Sequence, residues 1–148
     1  MYHDKFMQAA IDEAMKAYDE GEVPVGAALF MDGKLIASDH NRKEQSNTAT
    51  AHAELLTINE ACRVTGDWRL TGAVLYVTAE PCFMCAGAII QARIKQVVFG
   101  VAEPKFGGVF SHAQLFDIRE LNHRVEYISG VRGDEIGVLM QTFFRKIR

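Results

Sequence analysis

Across residues 4–18 the apolar positions Phe6, Met7, Ala10, Ile11, Ala14, Met15 and Tyr18 recur at helical spacing, with Asp and Glu on the other face. An interfacial membrane helix carries basic residues opposite its apolar stripe, so this acidic helix is read as packing on a core. Gly21 ends it. Residues 23–31 and 34–38 read as two strands joined at Asp32-Gly33, a favoured two-residue hairpin turn. Residues 40–50 are polar and lack a period, which predicts a loop. A second helix opens at Thr50 or Ala51 and runs to Val64 on Leu55, Leu56, Ile58, Ala61 and Cys62, with Gly66 closing it. Residues 73–78 form an inner strand, and Pro81 stands where a third helix, running to about Gln91, takes its first position. A buried strand at 96–101, a Gly-containing loop at 103–111, a strand at 125–128 and a closing helix at 134–146 complete the pattern. Strands alternating with helices imply one α/β domain over residues 1–148, a three-layer α/β/α arrangement with largely parallel middle strands.

Composition changes this picture little. A chain of 148 residues that is 49% hydrophobic and 24% charged, with 12 Gly and 3 Pro, is neither disordered, collagenous nor a disulfide scaffold. No apolar run approaches the roughly 18 residues of a membrane span, and the N-terminus does not read as a signal peptide, so a cytoplasmic protein is expected. Cysteines at 62, 82 and 85 are an odd number, which favours metal or redox chemistry over a disulfide framework. The net charge of −3 is uneven: residues 1–40 carry −5, and the C-terminus ends with Arg145, Lys146 and Arg148 and no nearby acid. A local basic edge is therefore compatible with the acidic total.

Two strings stand out: His52-Ala53-Glu54 at the start of the second helix, and Glu80-Pro81-Cys82-Phe83-Met84-Cys85 at the start of the third. Cysteines three apart project from one side of a helical turn, and a helix N-terminus favours the thiolate. With His52 they make a soft three-ligand set that suits Zn²⁺ and leaves a fourth tetrahedral position for water. Glu54 is more useful as a proton carrier beside that water than as a ligand. A redox dithiol and a closed structural site completed by Cys62 or His112 are the alternatives.

The H-x-E and P-C-x-x-C strings resemble the signature of the zinc-dependent cytidine-deaminase-like superfamily. The likeness extends to GEVPVGAALF at 21–30, HAELLTINEA at 52–61, WRL at 68–70, LYVTAEPCFMCAGAII at 75–90, RIKQVVFG at 93–100, LNHRVE at 121–126 and FFRKIR at the C-terminus. Together these strings resemble the bacterial tRNA-specific adenosine deaminases. That resemblance implies a cytidine-deaminase-like fold with a central mixed five-stranded sheet, in a homodimer with one zinc per subunit and no organic cofactor. It also implies conversion of adenosine to inosine at the wobble position of a tRNA anticodon, commonly that of an arginine tRNA. His52, Cys82 and Cys85 would hold zinc, Glu54 would shuttle protons and Asn41 would contact the base. Val25 and Ala51 are expected along the pocket wall, with backbone groups near Ala53, Glu80 and Pro81 on the base. Expected RNA contacts are Arg42, Lys105, His123, Arg124, Phe143, Phe144, Arg145, Lys146 and Arg148, with at least one of the two phenylalanines packing in the core instead.

The chain departs from the family pattern in its loops. Thr48-Ala49-Thr50-Ala51 replaces Asp-Pro-Thr-Ala, Glu103-Pro104-Lys105 replaces Asp-Pro-Lys, and residues 110–116 differ further. These changes bear on substrate context rather than on the metal chemistry. Two other functions share the same strings: a deaminase of a free base or nucleoside such as guanine, cytosine or cytidine, and a non-catalytic RNA-binding subunit, against which Glu54 speaks.

Overall fold

The computed structural model describes residues 4–147; Arg148, at the end of the basic C-terminal run, lies outside them. In chain order the elements are α1 (Asp4–Asp19), β1 (Gly26–Met31), β2 (Lys34–His40), α2 (Lys43–Ser46), α3 (Ala53–Thr65), β3 (Val74–Ala79), α4 (Phe83–Gln91), β4 (Gln96–Val101), β5 (Glu126–Ile128) and α5 (Gly133–Lys146). The strands form one mixed sheet in the order β2-β1-β3-β4-β5. Strand alternation sorts the core into two halves. Ala27, Leu29, Leu75, Val77, Val97 and Phe99 face α3 and α4, where they meet Ile58, Ala61, Ala86 and Ile89. Ala28, Phe30, Tyr76 and Val98 face Met7, Ala10 and Ile11 of α1 and Ile136 of α5. No helix among the described residues is long and apolar enough to cross a membrane.

The three-layer reading holds, but the strand directions correct the parallel expectation. β1 runs antiparallel to both β2 and β3, while β3, β4 and β5 are mutually parallel. The helix α3 does join two parallel strands, β2 and β3. These are not neighbours, because β1 lies between them. Asp32 and Gly33 both take positive φ, as the tight β1–β2 turn requires. At Gly26, α1 packs directly on β1: an added Cβ would collide with the backbone of Ala10 and Ala14.

Several boundaries also move, and α3 begins at Ala53 rather than at Thr50 or Ala51. The first strand begins at Gly26 rather than at Val23, and β2 extends to His40. Residues 43–46, read as loop, form the single helical turn α2. Its N-terminal amides at Glu44 and Gln45 donate to the two carboxylate oxygens of buried Glu22, at 3.1 and 2.8 Å, a partner 22 residues away that no local pattern reveals. Finally, Cys82 is not inside α4 but caps it in extended conformation, with Pro81 one residue earlier. A β-bridge from Cys82 to Gly107 holds that backbone extended.

Candidate active site

The C-terminal ends of β2 and β3 and the N-terminal ends of α3 and α4 meet at one edge of the sheet, the place where open α/β sheets gather ligands. His52 is the N-cap of α3 and Cys82 the N-cap of α4, and neither spends its side chain on capping. Instead His52 Nδ1 lies 3.6 Å from Cys82 Sγ and 3.6 Å from Cys85 Sγ. All three donor atoms fall within 4.8 Å of one another.

These separations test the metal directly. With Zn–S near 2.3 Å and Zn–N near 2.0–2.1 Å, a tetrahedral angle puts sulfur and nitrogen about 3.6 Å apart. The donor set fits zinc in both element type and spacing. A hydrogen bond from Cys85, opposed by burial and assisted by His52, pushes Cys82 down to about 4. The same bond, then burial and the nearby Glu54, push Cys85 up. The bond to Cys82 raises His52 against the opposing cost of burial. Cys62 sits half-buried on α3 with its sulfur 3.8 Å from the Trp68 carbonyl, and His112 lies exposed beside Phe83. Among the described residues neither joins the triad, so three side chains that could hold a metal stand together.

Glu54, one residue into α3, is buried and lines the same cavity. Burial and then the Cys82 charge push its carboxyl up, with its own backbone hydrogen bond and His52 opposing, to about 7. A carboxyl there can both accept and release a proton at neutral pH.

The cavity has a volume of about 510 Å³. Of the residues expected from the sequence, Val25, Asn41, His52, Glu54, Glu80, Cys82 and Phe144 line it. Ala51, Ala53 and Pro81 are buried behind that lining, as is Cys85. Lys105 and Arg145 are exposed outside it, and Arg42 pairs with Asp39 at 2.8 Å. Phe143 is the phenylalanine that packs inward, against Tyr18, and Lys146 lies over the same Tyr18 ring. Two expected RNA contacts are otherwise employed. His123 Nε2 lies 2.8 Å from the Ile94 carbonyl, and the Arg124 guanidinium donates to the carbonyls of Ile118 and Arg119. Both hold their own loop.

Sequence reasoning missed Val23, Lys43, Ala79, Phe83, Met84, Glu103, Phe106 and Met140, which line the cavity too. Phe83 and Met84 carried a signal, since they lie between the two cysteines in a string already singled out. Val23, Ala79 and Glu103 also lie in strings quoted for the resemblance, whereas Lys43, Phe106 and Met140 carried no signal.

Asn41 has a second employment. Its Oδ1 accepts a 2.8 Å hydrogen bond from the Ala53 N–H. With the His52 side chain turned to the cysteines, Asn41 caps α3 from across the loop. Asn41→Ala is expected to cost about 1–2 kcal/mol of folding stability, because a buried N–H loses its partner. A urea midpoint measures this, and Asn41→Asp, which keeps the acceptor, should recover most of it.

Comparison with known proteins supplies the family. MafB19-like deaminases match the chain over residues 1–148. It is 48% identical over 143 residues to the tRNA-specific adenosine deaminase of Bacillus subtilis (strain 168), covering 97% of this chain and 89% of that one. This chain belongs to the tRNA-specific adenosine deaminase family. A member from Aquifex aeolicus (strain VF5) is 42% identical over 148 residues, covering 100% of this chain and 97% of its own. The fold agrees. A structure solved in a study of A-to-I editing by tRNA:A34 deaminases at the wobble position of transfer RNA superimposes with a TM-score of 0.89 at 42% identity, covering 93% of this chain and 99% of that one. The likeness thus runs over nearly the whole chain, in sequence and in fold.

Proposed function

We propose that this chain hydrolyses adenosine to inosine at the wobble position of a tRNA anticodon, that of an arginine tRNA, as a zinc-dependent cytoplasmic homodimer. The observation that carries the reading is the buried Glu54 carboxylate lining the cavity with His52 and Cys82, with Cys85 buried behind them. His52, Cys82 and Cys85 would hold zinc, which when bound would make water acidic enough to give up a proton at neutral pH.

The protein's own part follows from its geometry. Glu54 takes a proton from water and gives it to purine N1, then takes the proton of the new C6 hydroxyl and gives it to the departing amine, so that adenosine and water become inosine and ammonia. Its burial keeps the carboxyl near the neutral range where both transfers proceed. Asn41, fixed by the Ala53 N–H, stands on the wall with Val25, where a base edge needs a polar partner. Phe83, Phe106 and Phe144 line the cavity and remain partly exposed, surfaces on which neighbouring unstacked bases can rest, and Lys43 adds a cation for a phosphate. The dimer is supported by α4. It leaves Met84 exposed, and an added Cβ at Gly87, one turn on, would touch nothing within 4 Å, so a small and apolar helix face is available to a second copy.

The test is inosine formation by the zinc-loaded protein on an arginine-tRNA anticodon stem-loop that begins with adenosine, beside free adenosine, guanine, cytosine and cytidine. Conversion of the stem-loop alone is expected. Conversion of a free base or nucleoside in its place would move the protein to salvage chemistry.

A further inference from the structure

The loop after β4 carries Glu103 and Phe106 to the cavity, yet between Ala102 and Ser111 it has no regular element beyond the bridge from Gly107 to Cys82. Its order comes from Glu80, which follows β3 and is 3% exposed. Glu80 Oε1 accepts from the Glu103 N–H at 3.0 Å and from the Ser111 hydroxyl. Its Oε2 accepts from the N–H groups of Val109, Phe110 and Ser111 at 3.1, 2.9 and 3.0 Å. Both oxygens are thus occupied by the loop. Gly107 closes onto the same carboxylate so tightly that an added Cβ would stand 2.6 Å from it. Between these anchors the Phe83 N–H donates to the Phe106 carbonyl at 3.1 Å, and the Phe106 ring lies 6.5 Å from that of Phe83, 59% exposed.

A buried carboxylate that gathers backbone N–H groups is an ordinary structural device. What distinguishes this one is that the segment it gathers forms one wall of the cavity. We propose that Glu80 is a positioning residue for substrate: it does not read the base, but holds the 103–111 loop so that Phe106 is preset to stack on a nucleotide next to the reacting one. An aromatic shelf preset in this way lowers the ordering cost of binding and acts on affinity more than on the chemical step. The inference rests on the RNA reading given above.

The experiment uses the zinc-loaded protein with Glu80→Gln, which keeps the side-chain size and turns an NH₂ toward the loop's donors. The KM for the stem-loop is expected to rise about tenfold or more while kcat falls less than about threefold. Zinc stays at one per chain, and hydrogen exchange quickens across 103–111. Phe106→Ala should raise KM similarly, and the double variant should be little worse than either single one, because Glu80 acts through Phe106. Should Glu80→Gln fail to fold, Ser111→Ala removes a single donor and should raise KM by about threefold in the same direction. Additive effects of Glu80 and Phe106, an unaltered KM, or a joint loss of kcat and zinc would each overturn the proposal. If the unaltered protein leaves the stem-loop unconverted, the RNA reading fails, and exchange at 103–111 in Glu80→Gln still decides whether the carboxylate orders the loop.

Discussion

Glu54→Gln is expected to lower kcat by about 10²–10⁴-fold, the range over which a positioned acid–base group acts, while the chain folds and retains its metal. Glutamine fills the same volume and cannot carry a proton. The donor atoms of His52, Cys82 and Cys85 are untouched, so zinc content by atomic emission should stay at one per chain. Stability should hold or rise, because a buried carboxyl pushed up to about 7 is a group the fold accommodates at a cost. Activity and stability moving in opposite directions is the mark of a residue kept for chemistry. Single-turnover inosine formation beside a thermal melt measures both, and activity within threefold of the parent would remove Glu54 from the proton path.

Cys85→Ala should be worse still, abolishing turnover by releasing the metal. Cys85 is fully buried, so no water-borne group can take over its position. Zinc content should fall from one per chain toward zero. The melting temperature should fall with it, since an ion bound only by the folded state stabilises that state by an amount that grows as the logarithm of the free ion concentration over its Kd. Cys85→Ser should also fail, because a hydroxyl is a poor substitute for a soft thiolate. Cys62→Ser is the control: its sulfur approaches the Trp68 carbonyl at the far end of α3, and its loss should leave zinc content unaltered. Loss of metal from Cys62→Ser would revive the closed four-ligand site.

Much of this site is legible in the sequence, because the chemistry-bearing residues cluster in two short strings. His52, Glu54, Cys82 and Cys85 need only two helix starts to meet, and the patterns around them mark both helices. The β1–β2 hairpin is legible from Asp32-Gly33, but the insertion of β1 antiparallel beside β3 is not, since a helix between two strands states their relative direction and not what lies between them. Turn α2 escapes for a related reason: its residues Lys43-Glu44-Gln45-Ser46 have no apolar face, and its amides are satisfied by Glu22 from another part of the chain. The cavity walls are the least legible. Phe83 and Met84 are the first two residues of α4, and they stay exposed on the cavity side rather than packing in the core. Phe106 is a loop aromatic whose placement depends on hydrogen bonds to a carboxylate 26 residues earlier.

The acidic first quarter of the chain constrains anyone who would redesign it. Raising RNA affinity by exchanging acids for lysines is a natural engineering route, and the −5 carried by residues 1–40 looks like material to spend. Some of those acids are tethers instead. Glu13 and Glu20 grip the two ring nitrogens of buried His40 at 2.7 and 2.8 Å, and Glu22 holds the first amides of α2, so together they moor the segment that presents Asn41 and Lys43. Charge reversal there would gain cations on the surface while casting loose the cavity wall they were meant to serve. Positions such as Asp4 and Asp12, on the outer face of α1, are the ones open to that exchange.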